Sequence, residues 1–333
     1  MLKRQYDEME DVNLESEARL MCCASCGIAE VDDVKLTQCS DNHFGGLGCD
    51  LVRYCSDKCQ EDHCLEHEEA CKKRAAELRD EILFKQPEGT HLGDCPICSL
   101  PLPLEQRKSM LQSCCSKVIC NGCSFANNLR HLQDKIKTKC PFCRHRLPKT
   151  MEEFNKNLKK RVAANDPTAL WQMGTIYRDE GDYDDAFKYF AKAADLGDVS
   201  AHFLLSAMYM KGEGVEKDEK KVIYHLEEAA IAGHPDARYA LGVLEGEGGR
   251  IDRANKHHII AANLGYDESI QQLKNCYKNG DICKDEYARA LRSYQAAVDA
   301  TKSPQREAAA KLIVQQGNSK RLLTNVAVPW SWL

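Results

Sequence analysis

The sequence predicts two small cysteine-rich modules followed by an all-α helical-repeat solenoid. Three observations lead to this fold class. Of the 19 cysteines in 333 residues, 17 lie at or before Cys143. They occur largely as Cys-x2-Cys pairs in two dense blocks, residues 22–71 and 95–148. From about residue 152 the composition shifts to Ala, Tyr, Leu, Gly and Asp, and a similar pattern recurs several times.

Charge and hydropathy exclude several classes of protein. The 46 Lys and Arg are outnumbered by 51 Asp and Glu, which argues against nucleic acid as the main partner. No run of 18 apolar residues occurs, and the first 20 residues lack an apolar core. The sequence therefore predicts neither a membrane span nor a secretory signal. We expect an intracellular protein, in the cytoplasm or nucleus, where thiolates hold metal rather than form disulfides.

The first block follows a polar, acidic leader (residues 1–21) that the composition predicts to be disordered. Zinc takes four Cys or His ligands in a tetrahedron, and residues 22–71 offer enough for two sites. The run Asp50 to Ser56, then Cys59-Gln60 and His67-x3-Cys71, resembles the MYND zinc finger. That resemblance implies two interleaved zinc sites and the binding of short Pro-containing peptides. The implied ligands are Cys23, Cys26, Cys55 and Cys59 for one zinc, and Cys39, Cys49, His67 and Cys71 for the other. His43 is the alternative to Cys39.

A linker helix is predicted over residues 72–92. Ala76, Leu78, Ile82 and Leu83 follow a partial helical period, and the sequence Pro-Glu-Gly at 87–89 ends it.

The second block, residues 93–148, again offers eight ligands and hence two zinc sites, for a total of about four zinc ions. It begins with Cys-Pro-Ile-Cys at 95–98 and ends with Cys-Pro-Phe-Cys-Arg at 140–144, and it resembles the RING finger. The cross-brace of that family implies one set of four ligands and part of another. The first set is Cys95, Cys98, Cys120 and Cys123; the second contains Cys140 and Cys143, completed by Cys114 and Cys115.

The adjacent pair Cys114-Cys115 needs a bent backbone to bind one metal, and His131 is the alternative ligand. RING fingers bind a ubiquitin-conjugating enzyme and position its thioester, so no residue is expected to catalyse the transfer directly. The resemblance implies that Ile97, Pro141 and Arg144 contact the conjugating enzyme. For Arg144 the alternative is a solvated charge in a basic stretch.

A connecting helix is predicted over 149–165, and self-similar units follow over 166–302. Each unit reads as helix, turn, helix, and its second half ends in Ala-Ala-x2-Gly, a glycine suited to a left-handed helix cap. These units resemble the Sel-1-like repeat, which implies about four stacked helical pairs and a protein-binding scaffold. The Gly residues are Gly197, Gly233 and Gly265, with steps of 36 and 32 residues. Residues 303–333 are predicted to form a helix that caps the last repeat, followed by a tail.

Two functions follow from these resemblances. The first is a RING-type ubiquitin ligase that recruits a conjugating enzyme through the RING and a protein substrate through the MYND finger and repeats. The second is a non-catalytic scaffold whose zinc modules and repeats only bind proteins or peptides. Ile97, Pro141 and Arg144 together favour the ligase, and the scaffold is the alternative. We expect chelation to unfold residues 22–148 while the repeats stay helical.

Overall fold

The computed structural model describes residues 37–38, 53–54, 58, 70 and 73–317. All eight ligands predicted for the first block, His43, the leader and residues 318–333 lie outside the described residues. The chain divides into two compact units, residues 1–85 and residues 86–333. Each unit is described by itself below.

In the first unit, two short strands pair antiparallel. Strand β1 (Thr37–Gln38) lies against β2 (Arg53–Tyr54), with Thr37 opposite Tyr54. Helix α1 covers residues 73–83, within the predicted linker helix. Its Arg74 lies 3.5 Å from the Glu77 carboxylate, a pair three residues apart that adds a few tenths of a kcal/mol to an exposed helix, and 3.2 Å from the Glu81 carboxylate.

The second unit begins with the cysteine-rich module, residues 93–148. A hairpin of β3 (Ser109–Gln112) and β4 (Lys117–Cys120) leads into helix α2 (Asn121–Gln133). The buried core is small: Leu102 and Ile119 pack with three of the cysteines. A core of this size does not hold such a module together without further support, which in small domains comes from metal or disulfides.

Helix α3 (Met151–Ala163) joins the module to the repeats. Thr150 caps it, because its Oγ1 accepts a hydrogen bond from the Glu153 N–H at 3.2 Å. Phe154 and Leu158 are buried in a cluster that also takes up Leu111 of β3. The connecting helix predicted from the sequence is thus present, and its apolar side packs on both neighbours.

The repeats form a stack of helical pairs, in which each helix contacts the next one in sequence. Residues with small side chains, such as Ala186, Ala193 and Ala201, are fully buried between the helices and allow close packing. The pairs are α4 (Pro167–Glu180) with α5 (Tyr183–Asp195), α6 (Val199–Lys211) with α7 (Glu219–Ile231), α8 (Pro235–Glu247) with α9 (Ile251–Asn263), and α10 (Asp267–Asn279) with α11 (Lys284–Ala300).

The predicted left-handed caps are confirmed. Gly197, Gly233 and Gly265 follow α5, α7 and α9 with φ of +85°, +85° and +86°. In this region of backbone space an L side chain is strained, so glycine ends each of these helices at low cost.

The last helix differs from its prediction. Helix α12 (Pro304–Gly317) is present, but it packs against α2 of the cysteine-rich module, where the sequence predicted a cap on the last repeat. The crossing is close because Gly122 of α2 has no side chain: a Cβ at that position would lie 3.0 Å from the Arg306 Cα. The module and the repeats consequently form one compact unit, without a break near residue 150.

Candidate metal centres

Eight cysteines of the module form two groups of four, and within each group all Sγ atoms lie within 4.8 Å of one another. The two groups alternate along the chain. Cluster 1 contains the first and third pairs of cysteines, and cluster 2 contains the second and fourth pairs. Cluster 1 is Cys95, Cys98, Cys120 and Cys123; cluster 2 is Cys114, Cys115, Cys140 and Cys143.

The Cys-Pro-x-Cys segments at the two ends of the module share one backbone geometry. Ser99 donates its N–H to the Cys95 carbonyl at 2.8 Å, and Arg144 donates to the Cys140 carbonyl at 3.0 Å. Both Ser99 and Arg144 have positive φ, +53° and +61°. The same local turn therefore brings two sulfurs together in each cluster.

The adjacent pair Cys114-Cys115 sits in the turn of the β3–β4 hairpin. The N–H groups of Cys115 and Ser116 both donate to the Gln112 carbonyl, at 3.1 and 2.8 Å, and Ser116 has φ of +55°. This is the bent backbone that the sequence required for both cysteines to face one site. His131, the alternative ligand, belongs to neither cluster.

The third pair lies where β4 passes into α2. Cys120 donates its N–H to the Cys95 Sγ at 3.4 Å, and its own Sγ accepts the Cys123 N–H at 3.5 Å, which caps α2. Burial raises the pKa of the Cys120 thiol, and the Cys123 N–H at the helix N-terminus opposes that shift without cancelling it. The hairpin and the helix thus complete cluster 1.

The sulfur spacing fits zinc. A tetrahedron with Zn–S bonds of about 2.3 Å has edges of about 3.8 Å. Cys98 and Cys120 are 3.8 Å apart at Sγ, as are Cys115 and Cys140. Cys114 and Cys143 are closer, at 3.3 Å. Each cluster can therefore hold one metal ion, and an all-thiolate set of four matches a structural zinc site.

The clusters differ in their surroundings. Cys95, Cys120 and Cys123 of cluster 1 are buried, whereas only Cys140 of cluster 2 is buried and Cys143 is exposed.

The thiol pKa values respond to these surroundings. Burial raises the pKa of Cys95, but backbone donors led by the Cys120 N–H outweigh it and lower that pKa to about 7. Burial, together with the neighbouring thiols of cluster 2, raises the pKa of Cys115 to about 11. Metal binding must displace such protons, so metal affinity rises with pH.

The three predicted contact residues for a conjugating enzyme lie around these clusters. Ile97 is 43% exposed between two cysteines of cluster 1, and Arg144 is exposed just after cluster 2. Pro141 is partly buried. Nearby apolar side chains are also exposed: Leu129 at 43%, Phe142 at 46% and Leu132 at 74%.

Sequence reasoning missed one residue at the centres. The Arg306 guanidinium, on α12, donates to the Cys98 Sγ at 3.4 Å. Arg306 is 208 residues from that cysteine and belongs to no recurring pattern, so no local signal pointed to it. The two cysteines of the repeats, Cys276 and Cys283, lie in neither cluster.

Among the described residues, no helix is both long and apolar enough to cross a membrane.

Comparison with known proteins identifies the repeats. This chain is 27% identical over 125 residues to chitin synthase regulatory factor 4 of Schizosaccharomyces pombe, which covers 35% of this chain and 20% of that protein. It is 28% identical over 175 residues to DAP3-binding cell death enhancer 1 of Mus musculus, covering 40% of this chain and 34% of that one. The chain thus spans only 20% and 34% of the length of these two relatives.

Among solved structures, a Sel1 repeat protein from Oxalobacter formigenes is 28% identical, with a TM-score of 0.38, over 48% of this chain and 68% of that one. The model of the Sel1 repeat family matches three consecutive segments, residues 167–198, 199–234 and 235–266. These segments coincide with the helical pairs α4–α5, α6–α7 and α8–α9. Residues 167–266 of this chain are therefore Sel1 repeats.

Proposed function

We propose that this protein is a protein–protein interaction scaffold, in which the Sel1 repeats bind a partner and the zinc-held module packs against the helices that precede and follow them. The observation that carries the proposal is the array of Sel1 repeats, since repeats of this kind bind protein partners. The four-cysteine clusters favour a structural role as well. Four thiolates fill a zinc coordination sphere and leave no position for a catalytic water.

An aromatic cluster on α6 and α7 is the best candidate for the partner-binding surface. The rings of His202, Tyr209, Tyr224 and His225 contact one another, with centroid distances of 5.0 to 6.4 Å. Tyr224 is 51% exposed, and its neighbour Ile223 is 46% exposed. Exposed aromatic side chains held rigid by their neighbours are typical anchors of protein interfaces.

Peptide display on the full chain, followed by fluorescence anisotropy with the selected peptides, tests this proposal. Tyr224→Ala should weaken binding by about tenfold or more, since an interface anchor is worth about 2 kcal/mol. Glu219→Gln, an exposed change on the same helix about 140° around its axis from Tyr224, should leave binding unchanged. If no peptide binds, or if both variants bind as the wild type does, the repeats do not use this surface.

A second candidate is a RING-type ubiquitin ligase. The alternate order of the two clusters along the chain supports it, and so does the exposure of Ile97 and Arg144. An apolar side chain in the first zinc loop and a cation after the last ligand suit a surface that holds a conjugating enzyme. In this role the Sel1 repeats would present the substrate.

Ubiquitination in vitro separates the two candidates. Zinc-loaded protein is incubated with activating enzyme, ubiquitin and a panel of conjugating enzymes, and wild type is compared with Ile97→Ala and Arg144→Ala. Chains that form with wild type and disappear in both variants establish the ligase. If zinc-loaded protein forms no chains with any conjugating enzyme, the scaffold function stands alone.

A further inference from the structure

The strongest unassigned feature is the contact between α12 and cluster 1. Arg306, at the beginning of α12, reaches the loop that follows Cys98 with both of its terminal nitrogens. Nη1 donates to the Pro101 carbonyl at 2.7 Å. Nη2 donates to the Leu100 carbonyl at 3.1 Å and to the Cys98 Sγ at 3.4 Å. One side chain thus binds three acceptors in a single four-residue loop.

We propose that Arg306 couples the docking of α12 to metal occupancy of cluster 1, so that each stabilises the other. The proposal rests on cluster 1 holding zinc. We refer to the hydrogen bonds of Arg306 with Cys98, Leu100 and Pro101 as the Arg306 contact.

Opposite charges favour the Arg306 contact when metal is bound. Zinc with four thiolates carries a net charge of −2, and Cys98 is a partly buried member of that set. A guanidinium that is hydrogen-bonded to this sulfur and to the neighbouring Leu100 carbonyl offsets part of that negative charge. Arginine also stays charged and offers a planar fork, so it can bond the sulfur and the adjacent carbonyls together.

The position of the guanidinium is fixed from two further sides. Nη1 also donates to the Thr301 carbonyl at 2.7 Å, at the end of α11, so the guanidinium bridges the repeats and the zinc loop. The neighbouring Gln305 donates its Nε2 to the Gly122 carbonyl at 3.1 Å. The buried Ala309, one turn further, adds apolar contact to the helix.

Coupling of this kind is reciprocal. If docked α12 tightens the metal, bound metal must favour docking of α12 by the same factor. Loss of a hydrogen-bond partner of a metal ligand commonly reduces metal affinity by about 10- to 100-fold. We expect an effect of that size at cluster 1 and none at cluster 2, whose sulfurs make no contact with Arg306.

The first arm of the test compares two variants that each remove one positive charge from α12. Arg306→Gln removes the contact, whereas Lys311→Gln changes an exposed residue of the same helix. The rate of zinc release to a chromogenic chelator is measured for wild type and both variants. One zinc per chain should leave about 10- to 100-fold faster in Arg306→Gln, while Lys311→Gln should match wild type. Equal release from all three proteins would overturn the proposal.

The second arm measures, by hydrogen exchange, whether bound metal favours the docking of α12. After wild-type protein is stripped of metal, the amides of residues 304–312 should exchange faster, while those of α4 to α9 remain protected. In metal-loaded Arg306→Gln, the loop 98–101 should exchange faster and the equivalent loop after Cys140 should not. Protection of 304–312 that is independent of metal would refute the coupling.

A third variant keeps the proposal testable if Arg306→Gln misfolds. Gly122→Ala keeps the guanidinium but places a Cβ 3.0 Å from the Arg306 backbone, so it should displace α12 and speed zinc release. Zinc analysis of the wild type separates the two ways to fail. Wild type without zinc at cluster 1 refutes the metal assignment, whereas zinc-loaded wild type with unchanged release in Gly122→Ala and Arg306→Gln refutes the coupling alone.

Discussion

The cysteine-rich module and the Sel1 repeats lie in one unit, but their cores differ in the amount of apolar side chain that they bury. In the module, Leu102 and Ile119 are buried among three cysteines, and little other apolar surface is covered. In the repeats, Ala, Leu, Phe and Met side chains form continuous clusters between helices, as around Phe190. The difference shows that a short segment can replace missing apolar burial with metal ligands, whereas a stack of helices does not need them.

Chelation should have the largest effect and separate the two regions most clearly. Structural zinc contributes about 10 kcal/mol or more per site to folding, which is as much as the whole stability of an average domain. Removal of metal should therefore unfold residues 95–148 and leave α4 to α9 helical. Hydrogen exchange and circular dichroism before and after chelation measure this. A module that stays protected without metal would show that its small core suffices.

A single added methyl group should disturb the repeats and leave the module intact. At Gly174 a Cβ would lie 2.7 Å from the Phe190 ring, so Gly174→Ala overpacks the core by about 3 kcal/mol. Gly246→Ala is the matched control, because its Cβ would meet only Ala254, at 3.8 Å. The melting temperature should be lower for Gly174→Ala alone, and the zinc content should be unchanged in both variants. A loss of zinc from Gly174→Ala would mean that the repeats hold the module together.

Acid should weaken the place where the segment before the module meets the repeats. The His91 ring stacks on His234 at 4.1 Å, and His234 stacks on Phe203 at 4.6 Å. Burial lowers the pKa of His91 to about 3 and that of His234 to about 4. The Asp236 carboxylate, which lies 3.6 Å from His234 Nδ1, opposes the lowering of the His91 pKa without cancelling it.

The sign of this pH effect follows from linkage. Both histidines bind protons more readily in the unfolded chain, with a pKa near 6.5, so their contribution is complete above that pH and is lost as pH falls toward 4. For His234 the loss at pH 5 is about 2 kcal/mol. His91→Phe keeps a ring in the stack without a titrating group and should reduce the loss. Chemical denaturation at pH 7 and pH 5 measures it, and equal acid sensitivity of the variant would exclude His91 as a cause.

The smallest expected change in stability is at the module surface. Ile97→Ala shortens a side chain that is 43% exposed, so it should change stability by less than about 0.5 kcal/mol and retain zinc. Binding of a conjugating enzyme, if the ligase function holds, should nevertheless weaken. A large loss of stability would assign Ile97 to the core of the module rather than to a binding surface.

Local and periodic patterns in the sequence predicted most of this architecture. The Ala-Ala-x2-Gly endings indicated the repeats, because the same cap conformation recurs in each pair. The spacing of cysteines indicated eight grouped sulfurs, and the hairpin turn explains how Cys114 and Cys115 face one site. The positions of Arg306 and His91 could not be predicted, because their contacts join segments more than 100 residues apart and depend on how helices stack.

The distance along the chain between Cys98 and Arg306 has a consequence for synthesis of the protein. The 208 residues between them take a ribosome roughly 10 to 40 s to add. During that interval the loop after Cys98 exists without the Arg306 guanidinium. A nascent module that binds zinc in this interval does so without Arg306, so under the proposed coupling a chain released early should exchange its zinc faster than a finished one. Rapid zinc exchange would thus distinguish incomplete chains from finished ones.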